Sequence, residues 1–197
     1  TPEELKGLFR VIDEQERLKL IDPYQAGAIR LLALTGCRLS EILTLEWDAV
    51  DLANKRLLLA QHKTDAKGLK AIPLNEPAIE VLKQLAKTTK ELAEARRRKG
   101  EKVVDNPYVI AGRKDGTHLV NLQKPWGRVR KAAELEDVRI HDLRHSFASA
   151  AASAGIPLQI IGGLLGHSSP QSTARYAHLA QDPVKQASDI IGKLIWT

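Results

Sequence analysis

The segment at residues 141–149, HDLRHSFAS, places two histidines and an arginine at the start of a stretch with helical periodicity. His141 and Arg144 are three residues apart, which puts both side chains on one face of a helix. Arginine holds phosphate through two parallel hydrogen bonds and stays charged, and histidine moves protons near neutral pH. The segment therefore predicts a helix start that combines an anion-binding group with a proton carrier.

Polar strings on both sides of this segment extend the same chemistry. In chain order they are TGCRLSEIL at 35–43, HKTDAKGLKAIPL at 62–74, LGHSS at 165–169 and ARYAHL at 174–179. They supply a second arginine, Arg38, a lysine, Lys63, a further histidine, His167, and a tyrosine, Tyr176. Tyrosine can form a covalent phosphoryl intermediate. The combined set predicts a site that holds a phosphodiester and attacks it with a phenol oxygen.

The sequence around these strings predicts a mainly helical fold. The first four residues, TPEE, have the composition of a capping box, and a helix to about Arg17 follows them. A second, largely apolar helix begins at Asp22-Pro23 and stops at Gly36. Strands are predicted at 56–61 and 69–74, and helices at 123–135, 141–154, 157–164, 170–178 and 183–195. The predicted class is mainly α with a small antiparallel β-sheet (α+β).

The ordered pattern Arg…Lys…His-x-x-Arg…His…Tyr resembles that of the tyrosine recombinases, also called phage-type integrases. The resemblance extends from about residue 1 to residue 195 and rests on five specific strings in the same order. It implies the catalytic-domain fold of that family, which is the same α+β architecture. It also implies that residues 1–197 are a C-terminal catalytic domain, and that a helical N-terminal DNA-binding domain is absent from this chain.

The resemblance assigns six catalytic residues, namely Arg38, Lys63, His141, Arg144, His167 and Tyr176. The two arginines would hold the scissile phosphate, and His167 would donate a hydrogen bond to one of its oxygens. His141 would contact the phosphate and assist proton transfer from Tyr176, the nucleophile, which is expected on a short helix. Lys63 would protonate the departing 5′ oxygen. Lys67 lies in the same predicted turn and is a competing assignment for the catalytic lysine.

Three neighbours of these residues are expected to have structural roles. Glu41 would brace Arg38 or the local backbone, because a supporting partner fixes the geometry of a guanidinium group. Asp142 would cap its helix, and His145 would be a packing histidine with satisfied hydrogen bonds.

A free phenol has a pKa of about 10, so attack at neutral pH also needs a base and nearby positive charge. The two arginines and His141 would supply both.

The implied function is site-specific DNA recombination that integrates or excises a mobile element. The tyrosine would attack in line, giving a 3′-phosphotyrosine and a free 5′ hydroxyl, and the hydroxyl of another strand would reverse the step. Arginine, lysine and histidine would do the charge work that Mg²⁺ does elsewhere, so no metal or other cofactor is expected. Phage, genomic-island and transposon integrases and chromosome-dimer resolvases all remain open as the parent protein.

Double-stranded DNA is the expected partner. The 30 lysines and arginines exceed the 24 acidic residues, and the formal net charge of +6 suits a polyanion. A predicted helix next to the catalytic segments carries four residues expected to contact the DNA backbone, Lys124, Arg128, Arg130 and Lys131. For the basic run at 96–99, DNA contact and a solvated surface are equally favoured.

The C-terminal segment 182–197 has too many apolar side chains to stand exposed. The resemblance favours its docking in trans on a neighbouring subunit of a DNA-bound homotetramer, with folding back in cis as the alternative without DNA. Accessory DNA-bending or directionality proteins are further expected partners.

A single cysteine excludes an intrachain disulfide. No long apolar run or signal-like start is present, so a cytoplasmic location without membrane contact is expected.

Three alternative functions compete with this interpretation. A zinc hydrolase could use His141, His145 and His167, although the motif lacks the glutamate of HExxH. A helix-turn-helix regulator could use residues 156–166, but it leaves the six catalytic positions unexplained. A type IB topoisomerase uses closely related chemistry and would relax supercoils instead of exchanging defined sites.

Overall fold

The computed structural model describes residues 1–60, 69–167, 169–179 and 183–196. The helices in this part of the chain are α1 (Pro2–Arg17), α2 (Pro23–Thr35), α3 (Leu39–Leu43), α4 (Glu76–Arg98), α5 (Gln123–Ala132), α6 (Asp142–Ser153), α7 (Leu158–Leu165), α8 (Gln171–Ala174) and α9 (Pro183–Ile195), with 3-10 helices at Trp47–Ala49 and Ala177–Leu179. The strands are β1 (Val50–Asp51), β2 (Arg56–Ala60) and β3 (Leu69–Pro73). The predicted α+β class is confirmed.

The first two helices begin and end at the residues that cap them. The Thr1 hydroxyl accepts a hydrogen bond from the Glu4 amide at 3.3 Å, and the Glu4 carboxylate binds the amino group of Thr1. Asp22 and Gln25 form a second reciprocal box before α2, at 2.9 and 3.1 Å. Helix α2 ends at Gly36, whose φ of +63° is the left-handed conformation that favours glycine. The predicted bounds of both helices are confirmed.

The three strands form one antiparallel sheet in the order β1-β2-β3. Strand β2 pairs with β3, and Leu57 lies opposite Ile72, with both side chains buried. Residues 61–68, which lie between these strands in the sequence and include Lys63 and Lys67, are outside the described residues. The sheet therefore packs one face on the core and leads into the segment that carries the predicted catalytic lysine.

The apolar residues form two clusters. The main cluster surrounds α2, where Ala28, Ile29 and Leu31 are fully buried. The second cluster joins α6 and α7 to the tyrosine that the sequence singled out; its buried members are Ala148, Ala151, Ala152, Ile161, Leu165 and Tyr176. None of the described helices is both long and apolar enough to span a membrane.

The helix predicted at 170–178 is wrong in its details. Helix α8 ends at Ala174, and Tyr176 lies in the turn between it and the 3-10 helix Ala177–Leu179. The Tyr176 amide bonds to the Thr173 carbonyl and the Leu179 amide to the Tyr176 carbonyl, both at 3.0 Å. These contacts between residues three apart wind the chain more tightly than an α-helix, so an α-helix does not continue through them.

Replacing Gly36 with alanine should lower the free energy of unfolding by about 1–3 kcal/mol. The backbone φ of +63° disfavours any side chain, and an added Cβ would lie 2.7 Å from the Phe147 ring and 2.9 Å from Leu165. Denaturant unfolding followed by circular dichroism measures the change.

The matched control for this change is Gly7→Ala. Gly7 lies inside α1, and nothing lies within 4 Å of a Cβ added there. Alanine at this half-buried but uncrowded helix position should stabilise the chain by up to about 1 kcal/mol, because glycine is a poor helix former. Equal effects of the two substitutions would contradict the argument from backbone conformation and packing.

Candidate active site

Arg144 is the central residue of the site and is almost completely buried, with 6% of its surface exposed. It lies in the first turn of α6. Its guanidinium group donates one hydrogen bond to the Gly36 carbonyl at 2.5 Å and another to the Leu165 carbonyl at 2.9 Å. These carbonyls lie at the ends of α2 and α7, two residues before Arg38 and His167. One side chain thus brings together the segments that carry three of the predicted catalytic residues.

The charge of Arg144 is buried without a counterion within salt-bridge distance in the described part of the chain. Burial lowers the pKa of its guanidinium, the nearby charge of Arg38 lowers it further, and Glu41 opposes the shift. A guanidinium group has five N–H donors, and the two carbonyls leave others available. Burying a charge without an ionic partner is costly, so this arrangement favours binding of an anion.

Arg38 stands at the start of α3 with half of its side chain exposed. The Glu41 carboxylate accepts hydrogen bonds from its backbone amide at 2.7 Å and from its guanidinium at 2.9 Å. Burial alone would raise the pKa of Glu41, but hydrogen bonds and charge from Arg38 and Lys70 outweigh burial and lower it. Glu41 is therefore ionised at neutral pH and braces Arg38, as predicted.

Lys70 is a member of the site that sequence reasoning missed. Its ammonium group lies 3.2 Å from Glu41, and the side chain is 11% exposed. It runs so close to Gly166 that a Cβ there would collide with it, and Gly166 has a φ of +65°. The lysine therefore connects β3 to Glu41, the residue that braces Arg38. No spacing in the sequence signalled this contact, because Lys70 and Glu41 are 29 residues apart.

His167 follows the left-handed end of α7 and faces Thr173 of α8. Its Nδ1 lies 2.8 Å from the Thr173 hydroxyl. Burial and the charges of Arg144 and Arg38 lower the pKa of His167 to about 4, so the ring is neutral at pH 7. If the threonine hydroxyl donates to Nδ1, the remaining Nε2 carries the proton. That tautomer presents a neutral N–H donor on the side away from Thr173.

The ring of Tyr176 is buried in the second apolar cluster, with 5% of the residue exposed. Its hydroxyl lies 2.6 Å from Nδ1 of His145. Burial raises the pKa of the phenol, and the charges of Arg175 and Arg144 oppose that rise. The packing role expected for His145 is therefore incomplete, since its ring is bonded to the predicted nucleophile. Its i+4 spacing from His141 is the signal that the sequence offers, and the same spacing also fits a metal-binding pattern.

His141 is exposed and occupies the cap position of α6. Its ring meets that of His145 edge to face, with the centroids 5.2 Å apart. Arg144 bonds to the carbonyls two residues before Arg38 and His167, and His145 contacts both His141 and Tyr176. The predicted catalytic lysine, Lys63, and its competitor Lys67 lie outside the described residues. The Asp142 carboxylate accepts hydrogen bonds from the backbone amide of Arg139 at 2.8 Å and from its guanidinium at 3.1 Å.

The four basic residues of α5 are in two different situations. Lys124 and Lys131 are exposed. Arg128 donates to the Leu20 carbonyl at 2.7 Å, and Arg130 donates to the Val138 carbonyl at 3.3 Å. In the basic run at 96–99, the first arginine is held by two carboxylates, those of Glu101 and Asp115. These two carboxylates therefore neutralise the charge of Arg96, the first residue of the basic run.

The zinc alternative gains no support from the geometry. Within residues 1–60, 69–167, 169–179 and 183–196, no three histidine, cysteine, aspartate or glutamate side chains lie close enough to hold a metal ion. Nδ1 of His145 faces a phenol and Nδ1 of His167 faces a hydroxyl.

A mainly helical domain in which buried and exposed arginines, neutral histidines and a tyrosine converge is typical of proteins that bind a phosphodiester beside a nucleophile. Residues 1–182 match the sequence model of the phage integrase family, and the chain belongs to that family.

Curated relatives of the chain have names of the same kind. The chain is 27% identical over 201 residues to the integrase of Salmonella phage P22, which covers 100% of this chain and 50% of that protein. It is 29% identical over 205 residues to the tyrosine recombinase XerC of Chlorobaculum parvum, which covers 95% of this chain and 58% of that protein. The chain thus spans about half the length of the curated relatives it matches.

Solved structures share the fold. The XerA recombinase superposes with a TM-score of 0.70 at 21% identity, over 95% of this chain and 62% of that chain. The catalytic domain of bacteriophage HP1 integrase superposes with a TM-score of 0.62 at 22% identity, over 95% of this chain and 92% of that chain. The predicted catalytic-domain fold of the tyrosine recombinases is confirmed.

Proposed function

We propose that this chain cleaves and rejoins DNA strands at specific sites through a 3′-phosphotyrosine at Tyr176, as the catalytic part of a recombinase. The observation that carries the proposal is the buried charge of Arg144, which has only two carbonyl partners and no carboxylate among the described residues. Arg38 and His167 follow those carbonyls closely along the chain. A scissile phosphate at this point would provide the missing negative charge.

Three groups bind the phosphate in this mechanism. Arg144 supplies a charged donor from a rigid, buried position, and Arg38 supplies a second one that Glu41 holds in place. Neutral His167 donates a hydrogen bond from Nε2 to a nonbridging oxygen, while Thr173 fixes its tautomer. Preorganised donors of this kind act most strongly on the charge that develops in the transition state. His141, at the open end of α6, contacts the phosphate from the solvent side.

The covalent step conserves the energy of the phosphodiester. The Tyr176 oxygen forms a bond to phosphorus as the bond to the 5′ oxygen breaks, and Lys63 gives its proton to that oxygen. The 5′ hydroxyl of another strand then attacks the phosphotyrosine and releases the tyrosine. Because the two arginines supply the positive charge and His167 supplies a hydrogen bond, we expect the reaction to proceed in EDTA.

Lys124 and Lys131 are the residues of α5 proposed to contact the DNA backbone. Both side chains are exposed, whereas Arg128 and Arg130 already donate to main-chain carbonyls. The arginines are therefore proposed to support α5 first and to reach phosphate only with their remaining donors. Contacts of this type weaken as salt concentration rises.

The C-terminal helix α9 is proposed to dock on a neighbouring subunit of a DNA-bound homotetramer. Its described side chains include Ile190, Ile191, Leu194, Ile195 and Trp196, all of them exposed. Five large apolar groups in seven residues are more than a lone surface helix tolerates, so a covering surface is required. Accessory DNA-bending or directionality proteins would join this assembly.

Replacing Leu194 with aspartate should weaken the assembly on DNA at least tenfold without unfolding the chain. Leu194 is 74% exposed, so the isolated chain loses little, whereas burying a leucine in an interface is worth about 1.5–3 kcal/mol. Sedimentation of the DNA complex measures the change. Val120→Asp is the matched control, because Val120 is 79% exposed on another part of the surface. Equal assembly by both variants would contradict docking through α9.

The proposed function is tested by trapping the covalent intermediate. Duplexes nicked near their centre, with randomised arms, are incubated with the chain in EDTA, and the DNA that becomes attached to protein is sequenced. Peptide mass spectrometry then locates the attached nucleotide. We expect attachment at Tyr176 on a defined DNA sequence. Attachment at another residue, or no attachment from the whole pool, would refute the proposal, and attachment without sequence preference would indicate a topoisomerase.

A further inference from the structure

We propose that His145 accepts the phenolic proton of Tyr176 when the tyrosine attacks, a proposal that rests on the function proposed above. His145 touches the reacting oxygen itself, with Nδ1 2.6 Å from the Tyr176 hydroxyl. The bond joins α6 to the turn after α8, so it depends on packing between two elements. Within the described part of the chain, the Tyr176 hydroxyl has no hydrogen-bond partner other than His145.

The neighbouring histidine is less suited to this task. His141 is exposed at the cap of α6, and the described part of the chain contains no hydrogen bond between it and Tyr176. Its ring contacts that of His145 edge to face at 5.2 Å. His141 can therefore influence the charge on His145, while His145 is the ring in direct contact with the phenol. This leaves His141 free for the phosphate.

The charged groups around His145 come from two elements. On α6 they are His141, Asp142 and Arg144, and on the turn that carries the tyrosine the group is Arg175. Burial, then the neighbouring His141 and Arg175, and to a smaller extent Arg144 lower the pKa of His145, while Asp142 opposes the shift. Burial also raises the pKa of Tyr176.

Both rings are therefore uncharged at neutral pH, and the phenol can donate to the lone pair on Nδ1. Full proton transfer would be unfavourable before attack, because the same burial disfavours both the phenolate and the imidazolium. The proton must then move as the oxygen–phosphorus bond forms, when a bound phosphate adds negative charge beside the imidazolium. This is general base catalysis.

The balanced step is as follows. The Tyr176 oxygen bonds to phosphorus, its proton passes to Nδ1 of His145, and the bond from phosphorus to the 5′ oxygen breaks. That oxygen takes a proton from Lys63. In the rejoining step, the incoming 5′ hydroxyl gives its proton to Lys63, and the released tyrosine oxygen recovers its own from His145. The chain returns to its starting protonation state.

The test compares single-turnover cleavage by the wild type with that by His145→Asn, on a nicked duplex selected as above. We expect the asparagine variant to cleave about 10²-fold more slowly. His178→Asn is the matched control, because His178 is exposed two residues after the tyrosine and should leave the rate unchanged. Faster cleavage by His145→Asn would show that the bond only restrains the tyrosine, and an unchanged rate would also overturn the proposal.

The pH profile separates a base from a structural support. Cleavage by the wild type should fall as the pH drops through the lowered pKa of His145, because the protonated ring cannot accept the proton. That limb should disappear in His145→Asn. A duplex with a sulfur in place of the scissile 5′ oxygen needs no acid at the leaving group, so it should not rescue the variant. Rescue by sulfur would assign His145 to the leaving group instead and overturn the proposal.

A measurement without DNA keeps this inference distinct from the proposed function. Nitrogen NMR of labelled histidine follows the titration of His145 in the wild type and in Tyr176→Phe. Losing a donor to Nδ1 destabilises the neutral ring, so the pKa of His145 should rise in the phenylalanine variant. An unchanged pKa would overturn the pairing even if cleavage occurs at Tyr176. The absence of cleavage together with a shifted pKa would instead refute the proposed function.

Discussion

Replacing Tyr176 with phenylalanine should abolish covalent attachment to DNA and leave DNA binding within a few-fold of the wild type. The substitution removes only the hydroxyl, while the ring stays in the apolar cluster of α6 and α7. Neither of the other two tyrosines, Tyr24 and Tyr108, lies at the site, so no second phenol is available there. A denaturing gel of the selected nicked duplex measures attachment, and a mobility shift measures binding.

The matched control is Tyr24→Phe. The Tyr24 hydroxyl is bonded to Thr89 at 3.0 Å, away from the site, so this variant also loses a hydroxyl and its hydrogen bond. Each variant should lose about 1 kcal/mol of stability, but only the change at Tyr176 should remove the adduct. An adduct that persists in Tyr176→Phe would exclude this residue as the nucleophile.

Replacing Arg144 with lysine should reduce the cleavage rate by about 10²–10³-fold and also destabilise the fold. Lysine keeps the charge but lacks the planar fork that reaches the Gly36 and Leu165 carbonyls together. One of these carbonyls would then lose its partner, at a cost of about 1–3 kcal/mol. The ends of α2 and α7 would also separate, so Arg38 and His167 would no longer face the same phosphate.

Arg30→Lys separates the two consequences. Arg30 is mostly buried and joins Asp13 and Glu16 at 2.6 and 2.7 Å, outside the site. Its replacement should reduce stability but leave the cleavage rate per folded molecule unchanged. The rates of both variants are compared at a temperature where each is folded. If Arg144→Lys cleaved as fast as Arg30→Lys, the guanidinium would have no special role in holding the phosphate.

Local signals in the sequence were enough to predict the elements that depend on neighbouring residues. Capping boxes at Thr1 and Asp22 and the glycine at 36 set the bounds of the first two helices, because caps satisfy the free backbone groups of a helix within a few residues. Helix α8 was predicted too long, since apolar spacing alone does not reveal where the chain tightens into a 3-10 turn.

The ordered strings also identified the residues that converge. Arg38, His141, Arg144, His167 and Tyr176 were predicted from the pattern, and their catalytic roles stay predictions. Their grouping follows from chemistry that requires positive charge, a hydrogen-bond donor and a nucleophile around one phosphate. The brace from Glu41 to Arg38 was within reach of the sequence as well, because residues three apart meet at a helix start.

Only the tertiary structure decided how these residues meet. Arg144 bonds to a carbonyl 108 residues away, Lys70 reaches Glu41 across 29 residues, and His145 meets Tyr176 across 31. Periodicity places two histidines on adjacent turns of α6, yet the packing of α6 against the turn after α8 selects which ring contacts the phenol. The sequence by itself therefore determined the helices and the family, and it predicted the residues that would carry the chemistry. Packing between elements that are distant in sequence determined which side chain bonds to which partner. Such hydrogen bonds depend on distances in the folded chain, and these do not follow from the number of residues between the partners.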